Sequence, residues 1–403
     1  MAKKKIPVPP EIAAYLSKIG KRGHGLGDGR SNTPAQQGTS AVNGANGGRP
    51  PKGPKQFFKP DLSGHPYFSA FSGIGAAELG LWYSTQWPDG LPWRCVGYSE
   101  IDEHAQAVYR YHFPRHKAEG DITKIDYKSL PDFDLLIGGF PCQDMSGAGK
   151  RKGLKGQKSG LFYNLMKLYE TKKPRHFCFE NVESMGGKLR DAVTEIVGVE
   201  PVLINAAAFS AQQRERYFWC SWPVRQPDTQ WWDGLAAYLG TGPGAVVGDI
   251  LDVPEPVEWK DREGDRKKIG EYGGGGQGQR IYSPNGKSIT VTTSGGGKGG
   301  KTGLYDTPDG RRQLTPTEAE RLQSLPHQWT KWGCYEDGEV VKMAESERLK
   351  QLGNAFNARV ARHLFAELGR HVKMMGGWDK TGLRRWKIWI EYNGREEGTQ
   401  RPI

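Results

Sequence analysis

The chain has 403 residues and carries 57 Lys and Arg against 45 Asp and Glu, a formal net charge of +12. That length allows one large domain or two or three smaller ones, and no apolar run nears the roughly 20 residues of a membrane-spanning helix, which excludes an integral membrane protein. The five cysteines (Cys95, Cys142, Cys178, Cys220, Cys334) form no CxxC pair, so a zinc ribbon or a disulfide framework is not expected, and reduced, cytosolic thiols are.

Residues 1–60 differ from the rest. They hold eleven Lys and Arg against two acids, Glu11 and Asp28, and so nine of the twelve excess charges. Lys3–Lys5 leads into Pro-rich sequence and not an apolar stretch, so no signal peptide is expected. Between Gly23 and Pro54 the composition is polar and Gly-rich, too poor in apolar surface to offset its ordering entropy. The segment reads as a disordered basic arm, with one short amphipathic helix possible over 10–19. The motif GRPPK at 48–52 resembles a minor-groove hook but fits a solvated linker better. A basic balance favours a nucleic acid as partner over a membrane surface.

From Pro66 an alternation of strands and helices sets in. Apolar, β-rich runs at 67–71, 95–98, 134–137, 176–179, 202–205 and 217–221 predict strands, with helices over 76–83, 103–112 and 161–169. This rhythm predicts an α/β domain with a largely parallel sheet. After Pro223 it stops. Two Gly-rich loops, 273–276 and 295–300, bracket a hairpin-like run over 280–293, which suits a small loop-rich β domain. Thr315, Pro316 and Glu318 then form a capping box with Pro in the first turn. A last helix is expected over 355–368, with Val360, Leu364 and Leu368 on one face. The stretch 378–403 mixes Trp with Lys and Arg, and fits either an edge hairpin or a further nucleic-acid surface.

The first strand runs into Phe71-Ser72-Gly73-Ile74-Gly75-Ala76-Ala77-Glu78. Glycines at a strand–helix turn let a ligand approach the backbone, and the helix start presents free N–H groups. Glu100, ending the second strand, is placed for ribose hydroxyls, and Asp121 for an adenine amino group. The GxGxxG spacing of dinucleotide sites is absent. A tight structural turn and a pocket for another adenosine-containing cofactor both stay open.

The third predicted strand ends in Gly138-Gly139-Phe140-Pro141-Cys142-Gln143. A cysteine just past the carboxyl end of a central strand sits where α/β enzymes place their chemistry. Cys95, Cys178 and Cys220 fall inside strands and suit inert buried thiols. Cys142 instead precedes a polar Gly- and Lys-rich loop, 143–158, whose charge would depress a thiol pKa. The next strand delivers Glu180, either an acid for a substrate ring or a solvated strand-end carboxylate. Arg214 and Arg216, two apart in an extended run, share one face, as a site or as a plain charged surface. Nucleophile, carboxyl, paired Arg and adenosine pocket together suit one reaction. Thiolate addition at C6 of a pyrimidine makes C5 enamine-like, while a hydrogen bond at N3 stabilises the developing charge. C5 then attacks an activated methyl group.

The order of motifs resembles the DNA cytosine-C5 methyltransferase family, of the HhaI-like bacterial and phage type. FSGIG at 71–75, GFPCQ at 139–143, ENV at 180–182, QQRER at 212–216, LTPTEAERLQSLP at 314–326 and QLGNA at 351–355 stand in family order. The likeness spans about 66–368. It implies a Rossmann-like methyltransferase sheet domain that uses S-adenosyl-L-methionine, with a small β domain for target recognition. The chain would divide into a basic arm (1–60), the first part of the catalytic domain (61–226), the recognition domain (227–310), the returning catalytic part (311–375) and a C-terminal extension (376–403). The cofactor would be held by Phe71, Ser72, Gly73, Gly75, Glu100, Ile101, Asp121, Ile122, Pro141, Leu161, Asn354 and Ala355. Cys142 would be the nucleophile, Glu180 would hold N3 and the exocyclic amine, and Arg214 and Arg216 would position the ring and the catalytic loop. Ser69 departs from the Asp common in the family, a change shared with animal de novo DNA methyltransferases.

The run 274–282 is similar to the family's recognition loop. The resemblance implies that Gln277 fills the hole left by a flipped cytosine, Arg280 reads a guanine edge and Thr290 holds a phosphate, on a short target containing a GC step. Lys150, Lys152 and Lys155 would add backbone contacts, and the arm nonspecific, salt-sensitive affinity. The expected partner is double-stranded DNA, bound by a monomer, with no metal and no membrane, in the cytoplasm beside a nucleoid. A partner restriction endonuclease is compatible with this reading. An RNA cytosine methyltransferase, a silent DNA-binding relative and transfer of a group other than methyl are the rivals.

Overall fold

The computed structural model describes residues 64–141, 160–227, 244–253, 265–293 and 297–377. Cys142, Lys150, Lys152, Lys155, the basic arm and the stretch 378–403 lie outside the described residues. Seven strands, β1 (His65–Ala70), β2 (Trp93–Ser99), β3 (Ala118–Gly120), β4 (Leu135–Gly139), β5 (His176–Val182), β6 (Val202–Asn205) and β7 (Glu215–Cys220), form one sheet in the order β3-β2-β1-β4-β5-β7-β6. The five from β3 to β5 are parallel, and β7 lies antiparallel to both β5 and β6. The six expected strands are present; β3 is too short to show a pattern.

Side chains alternate between the two faces of each strand. Tyr67, Leu135, Ile137, Cys178 and Phe218 join one apolar cluster, and Phe68, Leu136, Phe177, Phe179 and Trp219 another. Seven helices are described: α1 (Ala76–Ser84), α2 (Glu103–His112), α3 (Gly160–Lys172), α4 (Gly187–Val197), α5 (Pro316–Leu322), α6 (Glu345–Asn354) and α7 (Ala358–Met374). α1 and α7 cover the first face through Ala77, Leu81, Val360, Leu364 and Leu368. α3 and α4 cover the second through Phe162, Leu165, Leu168 and Val193. A sheet buried on both faces explains why its strands read as apolar runs.

The packing of α1 on α7 needs a glycine. A Cβ built on Gly80 would lie 2.4 Å from Ala361 Cβ and 2.7 Å from Ala358 O. Gly80→Val is therefore expected to cost about 1–3 kcal/mol by overpacking, read as a lower urea midpoint. An unchanged midpoint would mean that the two helices have room to part.

The capping box at α5 is as expected. Thr315 Oγ1 accepts from Glu318 N at 3.2 Å and Glu318 Oε2 accepts from Thr315 N at 2.7 Å. The helix expected from residue 355 instead begins at Ala358. Asn357 caps it, its Oδ1 accepting from the amides of Arg359 and Val360 at 3.1 and 3.2 Å. Ala355 is extended and closes α6.

In the second half, β8 (Lys268–Glu271), β9 (Arg280–Tyr282), β10 (Leu304–Thr307) and β11 (Gly310–Arg312) form a sheet in the order β11-β10-β9-β8. The hairpin expected over 280–293 is not formed. β9 pairs antiparallel with β8, across the Gly-rich 273–276 loop, and parallel with β10. Ser288 instead bridges Gln212: its N–H donates to Ala211 O at 2.7 Å and its carbonyl accepts from Gln213 N at 3.0 Å. Tyr282, Ile289, Val291 and Tyr305 share an apolar cluster with Ile74, Leu79, Val108 and Leu352, so the two halves are packed together. A two-stranded sheet of β12 (Trp332–Cys334) and β13 (Val340–Lys342) leans on α2.

Candidate active site

The chain leaves β1 towards β2 and β3 on one side, then continues through β4 and β5 on the other. β1 and β4 thus flank the switch point where open α/β sheets bind ligands. A cavity of about 230 Å³ opens there. Phe71, Gly73, Glu100, Ile101, Asp121, Ile122, Pro141, Leu161 and Asn354 line it, together with Glu180, Arg214 and Arg216. Nine of the twelve expected cofactor residues therefore meet in one place.

The other three stand behind the wall. Ser72 ties the loop to β2, its N–H donating to Ser99 O at 3.0 Å. Gly75 sits at the start of α1 with φ of 78°, and a Cβ there would lie 2.4 Å from the Phe113 ring. Its role is the turn and that close approach. Ala355 is buried, and its carbonyl accepts from Arg214 Nη2 at 2.8 Å.

Glu100 is the best-held carboxylate of the cavity. Its Oε2 accepts from Gly73 N at 2.8 Å, and its Oε1 from Ile101 N and Asp102 N at 2.7 and 2.9 Å. Burial pushes its pKa up and these three N–H groups pull it back. Asp121 Oδ1 accepts from Thr123 N and Oγ1, which hold its carboxyl below the usual range.

Register brings the chemistry together. Gly139 pairs with Glu180, and Val182 with Arg216, so the end of β4, one residue pair from Cys142, faces the carboxyl and the guanidinium. Arg216 Nε lies 3.0 Å from Glu180 Oε1. Burial raises the Glu180 pKa against the opposing pull of Arg216 and Arg214. Arg214 does something different. It is 4% exposed and donates to Val291 O, Gly353 O and Ala355 O at 3.1, 3.1 and 2.8 Å. It clamps the segment around Val291 and both flanks of Asn354.

Two further residues escaped the sequence reading. Asn181 Nδ2 donates to Phe140 O at 3.3 Å and so steadies the approach to Cys142. Asp102 caps α2 through Oδ1, while its Oδ2 accepts from Lys350 Nζ at 2.7 Å, joining the Glu100 loop to the helix that ends in Asn354. The cap was legible as an Asp before a helix; the Lys350 contact left no local signal.

Of the expected recognition residues, Gln277 and Arg280 are exposed on the 3-10 turn and the start of β9. Arg280 Nε donates to Gly275 O at 2.7 Å, which ties the start of β9 to the Gly-rich loop. The Thr290 hydroxyl donates to Gln213 O at 2.6 Å, so it fastens the 288–293 segment to the turn before β7.

The sheet order and the polar cavity at its switch point define a Rossmann-like sheet domain of the methyltransferase fold. Likeness in fold is seen with the crystal structure of the S. pombe Dnmt2 methyltransferase, at a TM-score of 0.54 and 17% identity, over 77% of this chain and 99% of that one. Residues 67–228 match the family model for C-5 cytosine-specific DNA methylase. The type II methyltransferase M.HhaI of Haemophilus parahaemolyticus is 29% identical over 329 residues, 76% of this chain and 95% of that protein. The orphan methyltransferase M.Rho11sI of Bacillus phage rho11s is 38% identical over 165 residues, 37% of this chain and 31% of that protein. Residues 67–228 thus carry a C-5 cytosine-specific DNA methylase domain, and most of the chain is similar to type II methyltransferases. Among the described residues no helix is long and apolar enough to cross a membrane.

Proposed function

We propose that the chain methylates C5 of a cytosine flipped out of a specific short duplex DNA sequence, using S-adenosylmethionine and a covalent bond from Cys142 to C6. The observation that carries this reading is the Gly139–Glu180 pairing. It sets a buried carboxyl beside the backbone that leads into Cys142, on the wall of the cavity that also contains Glu100.

The residues present fit the cofactor. Glu100 spends three of its roughly four acceptor positions on backbone N–H groups, which leaves capacity for ribose hydroxyls. Phe71, Ile101, Ile122, Pro141 and Leu161 give apolar walls for a purine, and Asn354 closes the rim. Bound there, the cofactor supplies an electrophilic methyl group. The chain's own groups act on the pyrimidine. The Cys142 thiolate adds to C6, and electron density moves to C5 while the Glu180 carboxyl hydrogen-bonds N3. After substitution at C5, loss of the C5 proton restores the double bond and expels the thiolate. C6 is hidden in a stacked duplex, so the base must leave the stack first. In this reading Gln277 fills the gap and Arg280 reads a guanine.

Duplex DNA containing 5-fluorocytosine cannot lose a proton from C5. It should therefore trap a denaturation-resistant complex with the wild type and none with Cys142→Ala. Equal trapping by both proteins, or trapping on RNA alone, would overturn the assignment.

A further inference from the structure

Beneath the loop from Phe71 to Gly75 lies a buried carboxyl group that the reaction described above does not use. Glu78 stands in the first turn of α1 and is 2% exposed. Ser69, on β1, faces it. The loop leaves β1 two residues after Ser69 and is complete three residues before Glu78, so this pair closes its base. Tyr109 of α2 joins them. Its ring packs against Gly75, where a Cβ would lie 3.2 Å from Tyr109 Cδ2. Its hydroxyl oxygen lies 3.3 Å from Glu78 Oε1 and 3.0 Å from His116 Nδ1.

A negative charge in this place has little support. Among the described residues no Lys or Arg pairs with Glu78, and its Oε2 has no hydrogen-bond partner. The groups that face it are Tyr67 and Ser69 on β1, Cys95 and Tyr98 on β2, Glu100 just beyond, and Tyr109 on α2. Burial keeps Tyr67, Tyr98, Tyr109 and the Cys95 thiol neutral, and Glu100 adds like charge. Burial pushes His116 down to about 4, so its ring is neutral too. Burial likewise pushes Glu78 up to about 7, against the pull of the Ser69 hydroxyl, its own amide and the Tyr109 hydroxyl. The proton count agrees. A phenol has one proton, and a neutral imidazole nitrogen 3.0 Å away can take it. The carboxyl then bonds the same phenol oxygen only by donating a proton of its own.

We propose that Glu78 positions the cofactor loop as a neutral acid hydrogen-bonded to Tyr109, a role that rests on the cofactor reading given above. Loss of the proton leaves an unpaired carboxylate between β1, α1 and α2, and burial of such a charge is strongly unfavourable. A shift of the first turn of α1 towards water relieves it, and the Gly73–Gly75 turn moves with that helix start. Gly73 N, which donates to Glu100 Oε2 at 2.8 Å, is then drawn from its partner. Ionisation of Glu78 therefore weakens cofactor binding although the side chain touches no cofactor.

The test titrates S-adenosylmethionine into full-length wild type and Glu78→Gln from about pH 6 to about pH 8.5. Any titration of the ligand itself is common to both proteins. Relative to the variant, wild-type affinity should fall at least about fivefold over that range, because the amide is an isosteric donor that never ionises. Urea midpoints read the same proton without cofactor. The folded pKa lies above the unfolded one, so wild type should lose stability relative to the variant as pH rises from about 4.5 through about 7, and level off beyond. A side chain that only filled space would leave both differences constant with pH, and that result would overturn the role. A Gln variant that fails to fold would overturn it too, since a neutral isostere should serve. If neither protein binds the cofactor at any pH, the cofactor reading fails and the positioning role with it, while the midpoints still report the protonation of Glu78.

Discussion

Glu180→Gln should lower the rate of methyl transfer to duplex cytosine by about 10²–10³-fold and leave the fold intact. Gln keeps the shape and still accepts from Arg216, whose Nε lies 3.0 Å from the carboxyl. It cannot carry an acidic proton to N3. Burial raises the Glu180 pKa despite two neighbouring guanidinium groups, so the protonated carboxyl persists to higher pH than an exposed Glu allows. The sign follows. If the protonated form assists, kcat falls as pH rises through that raised pKa, and the Gln variant lacks this alkaline limb. The need for a Cys142 thiolate acts in the opposite direction and should survive in the variant. A variant within tenfold of wild type, with the same pH profile, would reduce Glu180 to the ion-pair partner of Arg216.

The sequence disclosed this site better than it disclosed the contacts that hold it. Phe71 and Glu100 directly follow β1 and β2, Glu180 lies two residues before the end of β5, and the close of an apolar run at such points is a local signal. The pairing of β5 with β7 is not local. It alone decides that Arg216 meets Glu180 while Arg214, two residues away on the same face, turns to three carbonyls. The same limit explains the hairpin. Residues 280–293 carry a strand-like alternation, but alternation does not name the partner, and Ser288 finds Gln212 across 76 positions of chain. It also explains why the Thr290 contact with Gln213 could not be read from sequence neighbours. The helix start at Ala358 was within reach, because Asn357 is a strong N-cap residue.

Arg214→Met should cost the enzyme roughly 3–5 kcal/mol of stability, since three hydrogen bonds from a charged donor are worth about 1.5–3 kcal/mol each and do not add fully. The side chain is 4% exposed, and its loss leaves the carbonyls of Val291, Gly353 and Ala355 without this donor. Val291 lies on the strand that Ser288 and Thr290 fasten to the catalytic half, and Gly353 and Ala355 flank Asn354 on the cavity rim. Gly353 has no slack of its own, because a Cβ there would lie 2.4 Å from the Thr292 backbone. Cofactor and DNA affinities should therefore weaken together, with the urea midpoint falling in step. Arg214→Lys should recover only part of this, because an ammonium reaches three separated carbonyls less well than a guanidinium fork. A residue that only oriented the substrate ring would behave otherwise: kcat would fall while the urea midpoint and cofactor affinity stayed at wild-type values. Unfolding curves and cofactor titrations on the Met and Lys variants separate the two roles. The packing around the guanidinium favours a clamp between the Val291 segment and the rim of the cavity.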